Sequence, residues 1–340
     1  MSAALKVDDL TVVCGLPSGR VIAPVNGVSF EVAAGEIVGL IGESGSGKTT
    51  TVRSLIGLLA KNAAVVGGTI TVDGETLEGG DRSAFLRVRG RKIGTIFQNA
   101  MSSLNPVLRV GRQLDEVLKA HAPTLTKDER HQRLERMLTS LGFTDPGRVM
   151  TSYPHQLSGG MRQRVAIGIA LAPRPAVLIA DESTTALDVT TQAEVVTLLR
   201  ELVDSNGSGL LFVTHDILLA AEICDRIVVM YGGQVVEQGP VDDVIEHPLH
   251  PYTRALLKSV PLWRPRASLV GIQGVPPEPA VDAVGCRFAP RCEYAADVCT
   301  ARTPDWIALD GGRGHRCARA EAMSPIWSRP LRGSTPVLTE

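Results

Sequence analysis

The stretch that decides the fold is Gly-Glu-Ser-Gly-Ser-Gly-Lys-Thr, residues 42–49. A short apolar run at residues 36–41 precedes it, and a helix-forming run at residues 48–59 follows. The stretch fits G-x-x-x-x-G-K-[ST], whose glycines let backbone N–H groups surround phosphates at a helix N-terminus. We therefore predict a nucleotide-phosphate site, with Lys48 reaching the β- and γ-phosphates and Thr49 ligating Mg²⁺. A chance Gly/Ser loop is the alternative, and the flanking strand and helix argue against it.

Further apolar runs of strand length occupy residues 93–97, 176–180 and 209–213. A helical run at residues 190–203 separates the last two, and strand, helix, strand in this order favours a parallel sheet covered on both faces. Residues 111–141 have helical character. The pair Gly232-Gly233 lies between two strand-like runs and indicates a hairpin.

The charge balance is almost neutral. Lys plus Arg number 35 and Asp plus Glu number 36, which gives a net charge of −1. A balance of this kind provides no overall basic field for nucleic acid, so we expect no nucleic-acid partner. The N-terminus has no signal-peptide run, and no segment reaches the ~20 apolar residues of a membrane helix. We expect a cytosolic chain that meets the membrane through partner subunits.

An acidic pair ends the apolar run Val-Leu-Ile-Ala-Asp, residues 177–181. An Asp at the end of such a strand can hold Mg²⁺, which is the role predicted for Asp181. Glu182 would then lie beside the γ-phosphate, where a carboxylate can polarise the attacking water. An acidic turn or helix cap is the alternative.

A second glycine turn enters a helix at Leu-Ser-Gly-Gly-Met-Arg-Gln, residues 157–163. The Ser158 hydroxyl and the free N–H groups of such a turn form another anion site. Because one triphosphate rarely needs two such sites, the simplest interpretation is that this one completes a nucleotide pocket on another subunit. An ordinary helix cap is the alternative, since Ser-Gly serves that role well.

These motifs together carry a resemblance to a known family. Residues 157–163 resemble the signature motif of the ATP-binding cassette (ABC) superfamily, and residues 177–182 resemble its Walker B strand. The resemblance covers residues 5–245. It implies an α/β fold of the ABC type, a P-loop nucleotide-binding domain with a mixed-sheet core and a helical subdomain at about residues 100–160. A loop-rich, cysteine-containing extension would follow at residues 246–340.

Three more residues stand where the family has functional positions. Gln98 falls at the Q-loop glutamine, Asp188 ends the D-loop, and His215 falls at the switch histidine. The family usually has an aromatic residue near position 14 to stack on adenine, and this chain has Cys14 instead. The resemblance therefore leaves open which residue holds the base.

The resemblance implies an ATPase in which two cassettes pair head to tail. Glu182 would act as general base, and His215 would hold the γ-phosphate and the attacking water. Thr49 and Gln98 would ligate Mg²⁺. The implied ATP contacts are Gly42, Ser44, Gly45, Ser46, Gly47, Lys48, Thr49, Thr50, Gln98 and Asp181. The implied contacts to the partner's ATP are Ser158, Gly159, Gly160 and Gln163.

The tail narrows the family. His-Pro-Leu-His-Pro-Tyr-Thr, residues 247–253, is similar to the extension of oligopeptide and dipeptide importer ATPases, and residues 153–156 are also typical of that branch. The structural role expected for the His-Pro-Tyr-Thr turn is a helix start, with Pro251 near the first position. The function implied is a subunit that hydrolyses ATP to power peptide import. Nickel or other small-solute import is the alternative within transport, and a soluble regulatory ABC ATPase is the alternative outside it.

The same resemblance implies the partners. They are a second ABC ATPase subunit, two membrane permeases and an extracytoplasmic peptide-binding protein. We expect a heterodimer, with a homodimer as the alternative, at the cytoplasmic face of the membrane. Gln98 and the helical segment 105–150 would face the permeases.

Four cysteines cluster near the C-terminus, at Cys286, Cys292, Cys299 and Cys317. In a cytosolic chain such a cluster favours metal over disulfides. Four thiolates suit either Zn²⁺ or a [4Fe–4S] cluster. Structural zinc sites favour short C-x2–4-C pairs, which are absent from this spacing, and the importer family carries [4Fe–4S] at matching cysteines. We therefore predict an iron–sulfur cluster, with zinc or free buried thiols as alternatives.

Overall fold

The computed structural model describes residues 3–79, 81–97, 104–182, 189–259 and 271–322, without the side chains of residues 189–191. The chain divides into two compact units. The first contains Met1–Lys6, Glu31–Ile37 and Ile70–Val213, and the second contains Val7–Phe30, Val38–Thr69 and Thr214–Glu340.

The described elements alternate between strand and helix over much of the chain. The strands are β1 (Ala3–Gly15), β2 (Val21–Ala33), β3 (Ile37–Ile41), β4 (Ala63–Val72), β5 (Glu75–Leu77), β6 (Ile93–Ile96), β7 (Val177–Asp181), β8 (Gly209–Thr214), β9 (Arg226–Tyr231), β10 (Gln234–Pro240), β11 (Ile307–Ala308) and β12 (Gly314–His315). The helices are α1 (Lys48–Leu55), α2 (Arg82–Val88), α3 (Val110–His121), α4 (Lys127–Ser140), α5 (Pro146–Thr151), α6 (Gly159–Leu171), α7 (Val189–Asn206), α8 (Ile217–Ile223), α9 (Val241–Glu246), α10 (Pro251–Lys258) and α11 (Asp297–Ala301). Single 3₁₀ turns occupy Pro154–Gln156, Ala289–Arg291 and Asp310–Gly312.

The first unit has a parallel sheet in the order β8-β7-β6. Strand β7 is central, and it pairs with β6 from Ile93↔Val177 and with β8 from Val177↔Gly209. Every residue of β7 except the last is buried. A strand that is apolar on both faces is expected in a parallel sheet, because helices cover both sides.

The first unit contains the helices α2 to α7, of which α3 to α6 follow one another between β6 and β7. Helix α3 buries Val110, Leu114 and Leu118 at intervals of four, which marks one apolar face. Thr126 starts α4 through a capping box with Glu129, so the helical run predicted at residues 111–141 is two helices.

The second unit contains a sheet in the order β11-β12-β10-β9-β3. Strands β3 and β9 are parallel, whereas β9 and β10 form an antiparallel hairpin. The hairpin turns at Gly232 and Gly233, whose φ angles of 54° and 87° are those that glycine adopts easily. The C-terminal extension, residues 246–340, adds β12 to this sheet through Glu237↔His315.

The predicted strands at residues 36–41, 93–97, 176–180 and 209–213 and the predicted hairpin are confirmed. The helix predicted at residues 48–59 ends earlier, at Leu55, because Gly57 adopts a left-handed φ of 63°. Six strands were missed by the sequence reasoning: β1, β2, β4, β5, β11 and β12. The domain boundary placed at residue 245 stays a prediction.

Candidate functional site

The phosphate loop, residues 42–49, connects β3 to α1 within the second unit. Two of its glycines cannot be replaced without moving backbone. A Cβ on Gly42 would lie 2.2 Å from the carbonyl oxygen of Met230, and one on Gly47 would lie 2.2 Å from that of Pro24. Gly47 also has a φ of 107°, which side chains rarely allow. The loop is therefore fixed by close backbone approach.

The side chain of Lys48 folds over the phosphate loop and contacts its first two residues. Its Nζ atom donates to the carbonyl oxygens of Gly42, at 2.7 Å, and Glu43, at 3.1 Å. The Ser46 hydroxyl is buried and has no hydrogen-bond partner among the described residues. Because an orphaned buried hydroxyl is costly, this position suits an incoming phosphate oxygen. Ser44, Gly45 and Thr49 are exposed at the loop surface, and Thr50 is half-buried.

The acidic pair lies in the first unit at the end of β7. Both Asp181 and Glu182 are half-buried. The backbone N–H of Glu182 donates to the carbonyl oxygen of Val213 at 2.9 Å. Its φ is 45°, in the left-handed region that a residue with a side chain rarely adopts. Strained residues of this kind are held by their surroundings and cluster at active sites.

The switch-histidine position follows β8. His215 is exposed and belongs to the second unit. The next residue, Asp216, caps α8 by accepting from the N–H groups of Leu218 and Leu219. The cap fixes where the strand stops and the helix begins, and His215 is placed at that junction.

The Gly-containing turn at residues 157–163 starts α6 in the first unit. The Ser158 hydroxyl accepts from the N–H of Met161 at 3.2 Å, which makes it the N-cap. The helix begins at Gly159, within the glycine turn itself. Gly160 is half-buried and Gln163 is buried. The cap interpretation is thus confirmed, and the anion site predicted at this helix start stays a prediction.

Two predicted site residues lie outside the described residues. They are Gln98 and Asp188, together with the rest of the D-loop at residues 185–188. Cys14, which replaces the aromatic residue of the family, is half-buried. Its sulfur accepts from the Asn62 side chain at 3.2 Å.

The four C-terminal cysteines line one cavity of about 20 Å³, here called the thiol pocket. Its lining also includes His250, Phe288 and Tyr294. Burial raises the pKa of Cys292 and Cys317 to about 11, and neighbouring thiols add to the shift. Burial also raises the pKa of Cys286. The chain therefore brings four scattered thiols together.

No metal site is evident from this arrangement. Within the described residues, no group of three or more His, Cys, Asp or Glu side chains has the placement that could hold a metal ion. The prediction of an iron–sulfur or zinc centre is thus unsupported by the side-chain geometry. The arginines beside the cysteines are also engaged elsewhere: Arg287 donates to Gly232, Arg291 to Glu43 and Arg316 to Pro304.

The His-Pro-Tyr-Thr turn starts α10 beside the thiol pocket. His250 is the N-cap, since its Nδ1 atom accepts from the N–H of Tyr252 at 3.1 Å. The carboxylate of Glu237 is fully buried and accepts from the N–H groups of Leu249, at 2.7 Å, and His250, at 2.9 Å. Burial raises the pKa of Glu237 to about 7 and lowers that of His250 to about 3.

Comparison with known proteins gives the family. The sequence model described as "ABC transporter" matches residues 25–185, and the one described as "Oligopeptide/dipeptide transporter, C-terminal region" matches residues 236–299. The oligopeptide transport ATP-binding protein AppD of Bacillus subtilis (strain 168) is 44% identical over 87% of this chain and 90% of that protein. This chain belongs to the ABC transporter ATPases of the oligopeptide/dipeptide importer family. It is therefore an ATP-hydrolysing ABC subunit.

Other relatives agree with this family. The oligopeptide transport ATP-binding protein OppD of Escherichia coli (strain K12) is 44% identical, with 89% of each chain covered. Among solved structures, a post-hydrolysis dimer of the cassette MJ0796 bound to ADP and Pi has a TM-score of 0.60 and 29% identity, over 70% of this chain and 98% of that one. The transporter component cbiO1 of Clostridium perfringens has a TM-score of 0.62 and 28% identity, over 72% and 91%. The predicted ABC fold is confirmed.

One part of this ABC subunit was missed by the sequence reasoning. The second residue of the phosphate loop, Glu43, contacts Arg291 and Tyr252 of the C-terminal extension. The signal was present in the His-Pro-Tyr-Thr turn, which was interpreted as a helix start alone.

In the described part of the chain, no helix has both the length and the hydropathy needed to cross a membrane.

Proposed function

We propose that this chain powers the import of short peptides as one ATPase subunit of a membrane transporter. The observation that carries the proposal is the C-terminal extension, which is described as the oligopeptide/dipeptide transporter type. The named roles of AppD and OppD in oligopeptide transport support the same cargo.

ATP and Mg²⁺ would bind at the phosphate loop. The orphaned Ser46 hydroxyl and the glycine geometry at Gly42 and Gly47 suit a bound triphosphate. Lys48 would leave the carbonyl oxygens of Gly42 and Glu43 and move to the β- and γ-phosphates. Mg²⁺ would neutralise phosphate charge, with Thr49, Asp181 and Gln98 as its protein-side contacts. Gly45, Ser44 and Thr50 complete the proposed contacts.

Hydrolysis would depend on Glu182 and His215. Glu182 would take a proton from the attacking water, and its strained backbone supports a role that needs a fixed carboxylate. His215 would hold the γ-phosphate and the water. Asp188 would be the aspartate of the D-loop. The helix N-terminus at Ser158, with Gly159, Gly160 and Gln163, would complete the ATP site of a partner cassette.

The proposed assembly has four kinds of component. This chain would pair with a second ABC ATPase, as a heterodimer, and dock on two membrane permeases at the cytoplasmic face of the membrane. The helical segment 105–150 would contact the permeases. An extracytoplasmic peptide-binding protein would deliver the cargo.

Uptake in cells tests the cargo. In cells lacking this chain, we expect uptake of a radiolabelled tripeptide to return with the wild-type chain but not with Glu182→Gln. That substitution should slow ATP hydrolysis by roughly 10²- to 10⁴-fold while ATP binding persists. Equal tripeptide uptake in cells with and without the chain would refute the peptide proposal. Ni²⁺ uptake that is restored by the wild-type chain would indicate the alternative cargo.

We also propose that the thiol pocket holds a [4Fe–4S] cluster on Cys286, Cys292, Cys299 and Cys317. A single tetrahedral zinc needs its sulfurs about 4 Å apart, since each Zn–S bond is about 2.3 Å. A cubane holds its four thiolates at separate corners and so accepts a wider arrangement. The wide, irregular spacing of the four cysteines is the observation that favours a cubane over zinc.

A buried histidine supports this proposal. His250 is 1% exposed, and its Nδ1 atom already accepts a hydrogen bond. The neutral ring therefore carries its proton on Nε2, which has no partner among the described residues. His250 lines the thiol pocket. An unsatisfied donor at its wall suits sulfur acceptors inside, which iron–sulfur clusters provide.

Metal content tests the cluster. Anaerobically purified chain should contain about four irons and four sulfides with a broad absorbance near ~400 nm. Cys292→Ser should remove them, whereas Cys14→Ser, at a cysteine outside the pocket, should not. Colourless wild-type chain with stoichiometric zinc, or with free thiols alone, would refute the assignment.

A further inference from the structure

The C-terminal extension reaches into the phosphate loop at Glu43. Arg291 Nη1 donates to Glu43 Oε2 at 2.6 Å, and Nη2 donates to Oε1 at 3.2 Å. The Arg291 side chain is only 4% exposed, and that of Glu43 is 27% exposed. A two-bond, largely buried pair of this kind fixes direction as well as distance.

Arg291 itself is held in place by three further groups. Its Nε atom donates to the carbonyl oxygen of Gln273 at 2.9 Å, and Nη2 donates to that of Ile272 at 3.2 Å. Nη1 also donates to the Tyr231 hydroxyl at 3.2 Å. The rigid guanidinium uses several donors at once, which a lysine ammonium at the end of a flexible stem cannot reproduce.

Tyr252 holds the backbone of the same loop residue. The N–H of Glu43 donates to the Tyr252 hydroxyl at 2.8 Å. The Tyr252 ring is fully buried and lies 4.5 Å from the Tyr231 ring and 5.4 Å from the Phe288 ring, between centroids. The aromatic packing therefore fixes where the hydroxyl stands, and with it one N–H of the phosphate loop.

Glu43 also forms hydrogen bonds with other residues of the phosphate loop. Its carbonyl oxygen accepts from Lys48 Nζ at 3.1 Å and from the N–H of Ser46 at 3.2 Å. A shift of Glu43 would move the group that holds Lys48. Without Arg291, the Glu43 carboxylate would also stand uncompensated beside the incoming triphosphate, where like charges repel.

We propose that Arg291 and Tyr252 are positioning residues of the phosphate loop, by which the C-terminal extension raises the affinity for nucleotide. Arg291 orients and neutralises the Glu43 carboxylate, and Tyr252 fixes the Glu43 backbone. Neither touches the reacting atoms. The proposal rests on ATP binding at residues 42–49, and it requires neither the peptide cargo nor the cluster.

Direct nucleotide binding to the purified full chain tests it, with a trinitrophenyl derivative of ATP and Mg²⁺ as the fluorescent probe. Arg291→Met should raise the dissociation constant about tenfold, since it leaves the half-buried Glu43 carboxylate without its partner charge. Arg291→Lys and Tyr252→Phe should each raise it about threefold, because Arg291→Lys keeps the positive charge and Tyr252→Phe removes one hydrogen bond while the ring packing remains. Arg302→Met is the control, since Arg302 forms an exposed ion pair with Asp305 away from the loop, and it should leave the constant unchanged.

A double substitution separates positioning from general damage. Glu43→Gln removes the stranded charge, so Glu43→Gln combined with Arg291→Met should bind the probe within about threefold of wild type. A double variant as weak as Arg291→Met, at an unchanged unfolding temperature, would overturn the proposal. Wild-type affinity in both Arg291→Lys and Tyr252→Phe would also overturn it, even if Arg291→Met fails to fold.

The assembled ATPase gives a second measurement. In the transporter complex, the milder variants Arg291→Lys and Tyr252→Phe should raise the KM for ATP with little change in kcat, because the chemistry is untouched. A fall in kcat alone would contradict the positioning role. Failure of wild-type chain to bind the probe at all would instead refute the phosphate site itself.

Discussion

The phosphate loop and the thiol pocket belong to the same compact unit but are built from different parts of the chain. The loop draws on consecutive residues, 42–49, and relies on backbone groups that approach closely. The pocket draws on side chains scattered over residues 286–317 and on His250. The comparison teaches that a backbone site should fail when any Cβ is added at a tight point, whereas a side-chain site should fail only when its own sulfurs are changed.

The phosphate loop and the thiol pocket are also linked through adjacent residues of the C-terminal extension. Arg291 binds Glu43 of the loop, and the next residue, Cys292, lines the thiol pocket. The His-Pro-Tyr-Thr turn repeats this arrangement, because His250 lines the pocket while Tyr252 holds the loop. At both places in the C-terminal extension, a residue that contacts the phosphate loop lies one or two positions from a residue that lines the thiol pocket.

The largest effect should come from a methyl group in the loop. Gly47→Ala should weaken ATP binding by about 100-fold, roughly 3 kcal/mol, because its Cβ meets the Pro24 carbonyl oxygen and its φ is 107°. Gly45→Ala is the matched control, since its φ is 81° but no atom lies within 4 Å of the added Cβ. Gly45→Ala should weaken ATP binding by less than about tenfold. Titration with the fluorescent nucleotide measures both, and equal losses would contradict the account of close approach.

An intermediate effect should appear in the pH dependence of stability, through Glu237. Its folded-state pKa is raised by burial from 4.5 to about 7, so the folded chain retains a proton that the unfolded chain releases between these values. This contribution is fully present below pH 4.5 and is lost as pH rises through 7. It amounts to roughly 3 kcal/mol across that window.

Urea unfolding between pH 5 and 8 measures this contribution. Glu237→Gln should remove it, so that the free energy of unfolding falls less steeply with rising pH than in the wild type. Glu201→Gln, at an exposed carboxylate, should keep the wild-type slope. An unchanged slope in Glu237→Gln would show that this carboxyl is not protonated in the folded chain.

The smallest effect on stability should come from two helix caps in the other unit. Ser158→Ala and Thr126→Ala each remove a side-chain acceptor at an N-cap, and each should lower the free energy of unfolding by about 1 kcal/mol. Only Ser158→Ala should also lower the ATPase rate of the assembled transporter, because only that helix start is proposed to face nucleotide. Equal ATPase rates in the two variants would leave Ser158 as a cap alone.

The sequence predicted the elements that follow from local patterns. Continuous apolar runs gave β7 and β8, and Gly232-Gly233 gave the hairpin between β9 and β10. Strand β1 was missed because its pattern is irregular, with charged residues such as Asp8 and Asp9 inside it. The break between α3 and α4 was missed although Pro123 and the capping box of Thr126 with Glu129 both mark it in the sequence.

The sequence by itself determined the phosphate loop, because all of its backbone groups come from eight consecutive residues with one workable geometry. It also marked Glu182 and Ser158, each next to a strand end or a helix start. Only the tertiary structure decided that Glu43 meets Arg291 and Tyr252, and that four cysteines share one cavity with His250. These contacts join residues more than 200 positions apart in the case of Glu43, so they depend on the path of the whole chain, which no local pattern encodes.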